Sequence, residues 1–304
     1  MGVVLNETGP DAGLPWHYGD PLREQRRLAA GEARVDLSNR PVIAISGADR
    51  LSWLHALTSQ HLERLSPGQS TAAFILDPNG RIEHVLAGVD DGETFWAHTE
   101  PGHGEALLAW LDRMRFAARV VVADRSASHA VIGSGEQVWL VPREDLDAEL
   151  GEVRAGTWAA EALRIAAGRP RIFLDTDEKT IPNEVASPDG DLLGSAVHLQ
   201  KGCYRGQETV ARVHTLGRPP RRLTLLHLDG SPEHLPEVGT PVEREGRTVG
   251  RLGTTAIHHE LGPIGLALVK RNVALEASLI AGGVPASQEP VVDPDVGLHV
   301  RPLR

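Results

Sequence analysis

Two β-rich runs meet at a Pro78-Asn79-Gly80 turn, and this feature constrains the fold more than any other in the chain. The runs occupy residues 71–89, and a turn of this composition between such runs is a strong hairpin signal. A hairpin pairs its strands antiparallel, whereas a doubly wound fold places a helix between successive strands. We therefore expect a fold based on antiparallel sheets.

The segments around the hairpin extend this pattern. A helix is predicted after Ser46 or Asp49, either of which suits the N-cap position. One side of that helix is mostly apolar and is formed by Leu51, Leu54, His55, Leu57, Thr58 and Leu62. The other predicted elements are strands at 41–45, 94–98 and 119–124 and an amphipathic helix at 103–117. The predicted elements follow the order strand, helix, strands, helix, strand, which is typical of an α+β module.

The second half of the chain divides near residues 216–222, in the sequence LGRPPRR. Before this point, a second small sheet is predicted from strands at 129–133 and 137–141, followed by two helices. Beyond it, short and regularly spaced strands with little helix favour a small barrel or sandwich. The last 20 or so residues are predicted to form an extended tail.

Composition excludes several classes of function. The net charge of −10 argues against a nucleic-acid scaffold, whose affinity would rest on releasing phosphate counterions. A single cysteine cannot form an internal disulfide, no Cys/His quartet suits structural zinc, and no metal site is predicted. The N-terminal residues lack a signal-peptide pattern, and no apolar run reaches the ~20 residues of a membrane span. We expect a soluble, cytoplasmic protein with no direct nucleic-acid or membrane partner.

The single cysteine, Cys203, lies in a polar segment between two basic residues, Lys201 and Arg205. Gly202 and Gly206 allow the backbone to turn sharply on both sides of it. Nearby cations and partial exposure favour the thiolate, so Cys203 is a candidate reactive group. The alternative is a small buried hydrophobic residue with an inert thiol, and glutamates nearby in the sequence could cancel the basic neighbours.

Residues 201–208, KGCYRGQE, resemble the signature of the YgfZ family, folate-binding relatives of the glycine-cleavage T-protein (aminomethyltransferase). The segments FILDPNGRI, IPNEV and GRTVGRLGTTAIHHELGPIGLALV resemble other parts of the family. The resemblance implies three small domains in a cloverleaf around a central folate cavity. Two are antiparallel α+β subdomains of ferredoxin-like character, and the third is a C-terminal antiparallel β-barrel. The domains would be a T-protein-like region at 1–216, with an inserted subdomain at about 45–124, and a barrel at 222–304 that includes the tail.

The same resemblance implies a function. Family members bind tetrahydrofolate and support the assembly or repair of iron–sulfur clusters, and through it tRNA modification. Cys203 would carry the thiol chemistry, without classical enzymatic turnover. Folate and iron–sulfur assembly or client proteins would be the partners.

Tetrahydrofolate needs two kinds of protein group. Its pterin ring presents two adjacent N–H donors that one carboxylate can accept, and the resemblance assigns this role to Glu184 in TIPNEV. Its glutamate tail ends in carboxylates, for which Arg212, Arg218 and Arg222 are the candidate partners. Tyr204 and Trp158 are candidates for stacking on the ring. The predicted cofactor-binding residues are Glu184, Lys201, Tyr204, Arg205 and Arg212.

One departure from the T-protein pattern bears on catalysis. Glu83 and His84 occupy the positions of an Asp-Asp pair, of which one aspartate is central to aminomethyl transfer. The extra methylene of glutamate displaces the carboxylate, and misplacement by about 1 Å can cost ~100-fold in rate. The alternative is therefore a folate-dependent aminomethyltransferase, one-carbon transferase or demethylase that uses Glu83. Since a cluster normally takes four ligands, one cysteine per chain would make any cluster contact transient, shared between chains or completed by small thiols. A redox or thiol-exchange role for Cys203 is an equal alternative.

Overall fold

The computed structural model describes residues 2–185, 196–230 and 235–294. Its helices are α1 (Pro21–Ala29), α2 (Arg50–Leu57), α3 (Gly104–Arg113), α4 (Leu146–Leu150), α5 (Thr157–Ala166), α6 (Pro182–Val185) and α7 (Gln207–Leu216). Its first eleven strands are β1 (Val4–Leu5), β2 (Pro15–His17), β3 (Arg34–Asp36), β4 (Val42–Ser46), β5 (Ser70–Leu76), β6 (Ile82–Asp90), β7 (Thr94–His98), β8 (Val121–Asp124), β9 (His129–Ser134), β10 (Gln137–Pro142) and β11 (Arg154–Ala155). The remaining strands are β12 (Arg221–Leu228), β13 (Pro241–Arg244), β14 (Arg247–His258), β15 (Gly262–Lys270), β16 (Leu279–Ala281) and β17 (Val284–Pro290).

The chain forms two compact units. The first contains residues 1–73 and 84–161, and the second contains residues 74–83 and 162–304. The tip of the β5–β6 hairpin therefore belongs to the second unit, although the two strands run into the first. The predicted domain boundary near 216–222 overlaps the start of β12 at Arg221 and stays a prediction.

A five-stranded sheet contains the β5–β6 hairpin, and most of its residues lie in the first unit. Its strand order is β5-β6-β7-β4-β8, and β4 pairs antiparallel with both β7 and β8. The inner faces carry fully buried apolar side chains, among them Phe95, Ile43 and Ile45. α3 buries Leu107, Trp110 and Leu111. The antiparallel α+β character expected from the sequence is confirmed.

A second sheet in this unit has the order β10-β9-β3-β11. The β9–β10 hairpin matches the pair of strands expected at 129–133 and 137–141. β3 and β11 were not anticipated, because each is only two or three residues long. They pair in parallel, so the sheet is not purely antiparallel.

The second unit contains a closed barrel of six strands in the order β12-β15-β14-β13-β16-β17. Its interior holds buried aliphatic residues, including Leu226, Leu252 and Val269. The turn between β13 and β14 falls at Glu245-Gly246, where both residues have positive φ. The expected tail is partly wrong, because Val284–Pro290 pairs with β12 and closes the barrel. Residues 295–304 of the tail lie outside the described residues.

A buried carboxylate joins the barrel to the segments that precede it within the second unit. Asp175 is fully buried and accepts hydrogen bonds from Arg164, from the backbone of Arg171 and from the backbone and hydroxyl of Thr254, at 2.6–2.9 Å. Gly253 stands against Asp175, where a side chain would clash. Among the described residues, the helices are all too short or too polar to cross a bilayer.

Candidate functional site

The segment KGCYRGQE contacts the tip of the β5–β6 hairpin, with one glycine on each side of the contact: Gly206 in the segment and Gly80 in the hairpin turn. Gly206 precedes α7 with a left-handed φ of +79°. A Cβ added there would lie 2.6 Å from the backbone oxygen of Asp77 and 2.9 Å from Cα of Gly80. Gly80 has a φ of +81°, and a Cβ added to it would lie 2.6 Å from Cβ of Thr209. Both positions require glycine for the backbone conformation and for the close approach.

The hairpin tip is held in shape by Asp77. Its carboxylate accepts the backbone N–H groups of Asn79 and Arg81, both at 2.8 Å. Burial alone would raise the pKa of Asp77, but these hydrogen bonds outweigh it and lower the pKa below its ordinary value. Such Asx turns explain why the sequence Asp-Pro-Asn-Gly gives a tight, defined hairpin.

Cys203 is exposed, with a free thiol. Two residues later, Arg205 forms an ion pair of 2.9 Å with Glu83, at the start of β6. Both side chains are more than a third exposed. The carboxylate bound to Arg205 is thus that of Glu83, from the hairpin. The reactivity of Cys203 stays a prediction.

Lys201 and Tyr204 lie inside, in contrast to Cys203. Lys201 is 5% exposed, and its Nζ lies 4.9 Å from the ring centroid of Tyr204. Burial lowers the pKa of Lys201 to about 8 and raises that of Tyr204 to about 12. Lys201 is therefore a buried amine that loses its proton far more readily than a surface lysine, and Tyr204 is a packed neutral phenol. The sequence predicts Lys201 as a cation that flanks the thiol and as a folate-binding residue, and both roles stay predictions.

Glu184 is fully buried and bound on all sides by protein donors. Arg221 donates to Oε1 from its backbone N–H (3.1 Å) and from Nε (2.8 Å), and to Oε2 from Nη2 (2.9 Å). The backbone N–H of Ile181 donates to Oε2 at 3.1 Å. A carboxylate has about four lone-pair positions, and these four bonds fill them. The predicted pterin bond would have to replace two of them.

Arg221 also binds Asp177, so that one guanidinium joins two carboxylates. Nη1 and Nη2 donate to Asp177 at 2.6 Å and 3.0 Å. Burial by itself would raise the pKa of Asp177, but the bonds from Arg221 outweigh it and lower the pKa to about 2. Both carboxylates raise the pKa of Arg221, against the effect of its own burial. This network is not predictable from local sequence patterns, because the three residues are up to 44 positions apart.

The remaining candidates for folate binding fall in different environments. Arg212 is exposed on α7. Arg222 is 1% exposed and donates to the carbonyls of Arg271 and Val273 at about 3 Å, so it is a structural residue of the barrel. Trp158 stacks on Trp16 with ring centroids 4.7 Å apart. Its ring is therefore already covered on one face by protein.

A polar cleft of about 510 Å³ opens beside the hairpin tip in the second unit. Charged residues that line it include Asp77, Arg81, Glu83, Asp177, Glu178 and Arg251. Arg251 is fixed there by a 3.0 Å bond from Nη1 to the carbonyl of Leu174. Phe173, at the same wall, has a φ of +80°, which is rare for a bulky side chain and locally strained. The volume lies in the range of small-molecule sites.

Comparison with known proteins identifies relatives of most of the chain and of its C-terminal part. Residues 221–291 match the family model described as CAF17, C-terminal beta-barrel domain. A putative chloroplastic transferase of Arabidopsis thaliana is 32% identical over 311 residues, which cover 83% of this chain and 68% of that protein. The tRNA-modifying protein YgfZ of Shigella dysenteriae is 38% identical over 114 residues, 36% of this chain and 33% of that one.

The fold has a close counterpart among solved structures. The glycine cleavage system aminomethyltransferase T of Bartonella henselae superimposes with a TM-score of 0.77, covering 99% of this chain and 96% of its own. Sequence identity between the two is 16%, so the likeness establishes the fold.

Proposed function

This chain belongs to the YgfZ-like family of aminomethyltransferase-related proteins, and from that premise we propose that it is a tetrahydrofolate-binding accessory protein supporting iron–sulfur cluster assembly or repair. Through those clusters it would serve tRNA modification. Its partners would be folate and the proteins that assemble or carry the clusters.

One observation carries the proposal: the family signature displays its thiol on a constrained support. Cys203 is exposed, while its neighbours in the motif are fixed by burial of Lys201, by the Arg205–Glu83 ion pair and by the close approach of Gly206 to the hairpin. An exposed thiol flanked in the chain by basic residues is typical of cysteines that react or exchange. A cysteine that served only for packing would be buried.

Folate fits some of the predicted residues better than others. Arg205 and Arg212 offer exposed guanidinium groups for the carboxylates of the tail. Glu184 does not fit as the pterin acceptor in the arrangement described, because its four bonds to protein donors leave no lone pair open. Folate would supply a carrier for one-carbon units when bound. The part of Glu184 would be to orient Arg221.

The cluster enters this proposal as cargo. One thiol cannot replace the four ligands of a cluster, so Cys203 would take part in transfer by binding one iron while other ligands come from the donor or the client. The exposed position of Cys203 is required for such a contact, since two proteins must approach the same iron.

The alternative function is a folate-dependent one-carbon or aminomethyl transferase. It is favoured by the position of Glu83, which lines the polar cleft beside the hairpin. Against it stands the 2.9 Å ion pair with Arg205, since a substrate would have to displace this guanidinium to reach the Glu83 carboxylate. We therefore rank the accessory role first.

The proposal is tested by titrating the purified full-length chain with tetrahydrofolate in a calorimeter under anaerobic conditions. We expect saturable binding, weakened about tenfold in Arg205→Gln by loss of one charged contact. Arg119→Gln is the matched control, because Arg119 also forms an exposed ion pair, with Asp49 at 2.7 Å, in the first unit. Absence of saturable binding, or equal weakening by both variants, would refute folate binding at this motif.

An activity assay on the same purified chain distinguishes the accessory role from the folate-dependent transferase. Incubation with tetrahydrofolate and an aminomethyl donor should yield no methylenetetrahydrofolate above the level without protein. Steady turnover that disappears in Glu83→Gln would establish the transferase in place of the accessory role.

A further inference from the structure

A cluster of three metal-ligating side chains lies in the first unit, on α2 and the loop that follows it. His55, His61 and Glu63 each offer one ligand atom, and these atoms lie within 4.8 Å of one another. The imidazole rings of the two histidines have centroids 4.6 Å apart and are inclined at 75°. The sequence predicts His55 on the apolar side of α2 and predicts no metal site. The loop after α2 places the side chains of His61 and Glu63 close to that of His55.

We propose that His55, His61 and Glu63 form a binding site for a divalent transition metal of the zinc class. Two imidazoles and one carboxylate are the protein ligands of one type of catalytic zinc site, which leaves a fourth position for water or another ligand. Atoms bound to one tetrahedral zinc ion lie about 3.3 Å apart, given bond lengths of about 2.0–2.1 Å. Rotation of the exposed Glu63 and small movements of the two rings close the remaining gap.

The ligands stand on an anchored support, which favours a specific site over a chance contact. Thr58 ends α2 and donates to the carbonyl of Leu54 from its backbone N–H at 3.0 Å and from its hydroxyl at 2.8 Å. Leu62, between the two loop ligands, is fully buried. The backbone N–H of Leu65 donates to the carbonyl of Leu62 at 3.0 Å and closes the loop. A fixed loop reduces the conformational entropy lost when a metal binds.

The local charge also favours a cation. His55 lies in the last turn of α2, where helix carbonyls present partial negative charge. Glu63 adds a full negative charge. Borderline metals such as zinc prefer imidazole, whereas magnesium prefers oxygen ligands and keeps its waters. The site should therefore discriminate strongly between these two ions.

The test is a titration of the full-length, metal-free chain with Zn²⁺, repeated with Mg²⁺. We expect one Zn²⁺ per chain and no response to Mg²⁺. Mutation of a residue that hydrogen-bonds to a metal ligand typically lowers metal affinity 10–100-fold. Loss of a ligand itself should lower Zn²⁺ affinity at least as much. His61→Gln should therefore reduce Zn²⁺ affinity about 100-fold, and Glu63→Gln about 10-fold. Because Glu63 is exposed, its variant keeps the fold intact and remains informative if His61→Gln is unstable.

A matched control comes from the barrel, where His227 and Glu289 form a pair 3.0 Å apart with only two ligands. His227→Gln should leave Zn²⁺ affinity unchanged. Co²⁺ gives a second readout, since its visible absorption reports the ligands and should be lost in His61→Gln. Equal Zn²⁺ affinity in the wild type and in both site variants would overturn the proposal, as would tight binding that depends on His227.

Discussion

Substitution of Gly206 by alanine tests two physical requirements for glycine at this position: a left-handed backbone conformation and space for the neighbouring backbone. The left-handed conformation, with φ of +79°, costs an ordinary residue about 1–2 kcal/mol. The new methyl group would also meet the oxygen of Asp77 at 2.6 Å and Cα of Gly80 at 2.9 Å. Both are backbone atoms that cannot rotate away, so overpacking adds about 1–3 kcal/mol. We expect Gly206→Ala to lose about 2–5 kcal/mol of unfolding free energy.

Gly246→Ala provides the control, because Gly246 has a φ of +72° with no atom within 4 Å of an added Cβ. This variant should lose only the conformational cost of about 1–2 kcal/mol. Thermal unfolding followed by circular dichroism measures the difference, at about 2–4 °C per kcal/mol for a unit of this size. Equal melting temperatures for the two variants would show that the motif does not press on the hairpin and would refute the reasoning.

Two further predictions concern buried charges. Arg221→Met should destabilise the chain by about 3–5 kcal/mol in urea unfolding, because it leaves the buried Glu184 and its neighbour Asp177 without their cation; an effect below about 1 kcal/mol would contradict the network. Burial lowers the pKa of Lys201 to about 8 in the folded state, against an ordinary value of 10.5. Between pH 8 and 10.5 the folded state therefore binds fewer protons than the unfolded state, so the free energy of unfolding should rise with pH across that window. The gain, at most about 3 kcal/mol, should disappear in Lys201→Met, and an equal pH dependence of both proteins would be contrary evidence.

Local patterns in the sequence predicted the parts of the fold that depend on short-range rules. The hairpin follows from Pro78-Asn79-Gly80, and α3 follows from its apolar spacing. The strands after Arg221 follow from regular turn signals. Short strands such as β3 and β11 were not predicted from the sequence, because two or three residues show no periodicity and their pairing partners are distant in the chain.

The chemistry of the site was harder to predict than its location. The motif marked Cys203, but it gave no sign that Lys201 would be buried, since burial depends on what packs around it. The partner of Glu184 could not be read from the sequence, because several arginines follow it and only the fold selects Arg221. The sequence predicted that Gly206 allows a sharp turn, and its φ is +79°, but neither α7 nor the close approach to the hairpin was predicted.

The most direct test asks whether the sulfur of Cys203 is needed in the cell. Cells lacking their own family member would receive the wild-type chain or Cys203→Ser at equal protein levels, and the activity of a cluster-dependent enzyme would be measured. Serine keeps the shape of this exposed side chain but not its affinity for iron, so we expect the variant to restore less than a tenth of the activity that the wild type restores. Full restoration by Cys203→Ser would contradict the account.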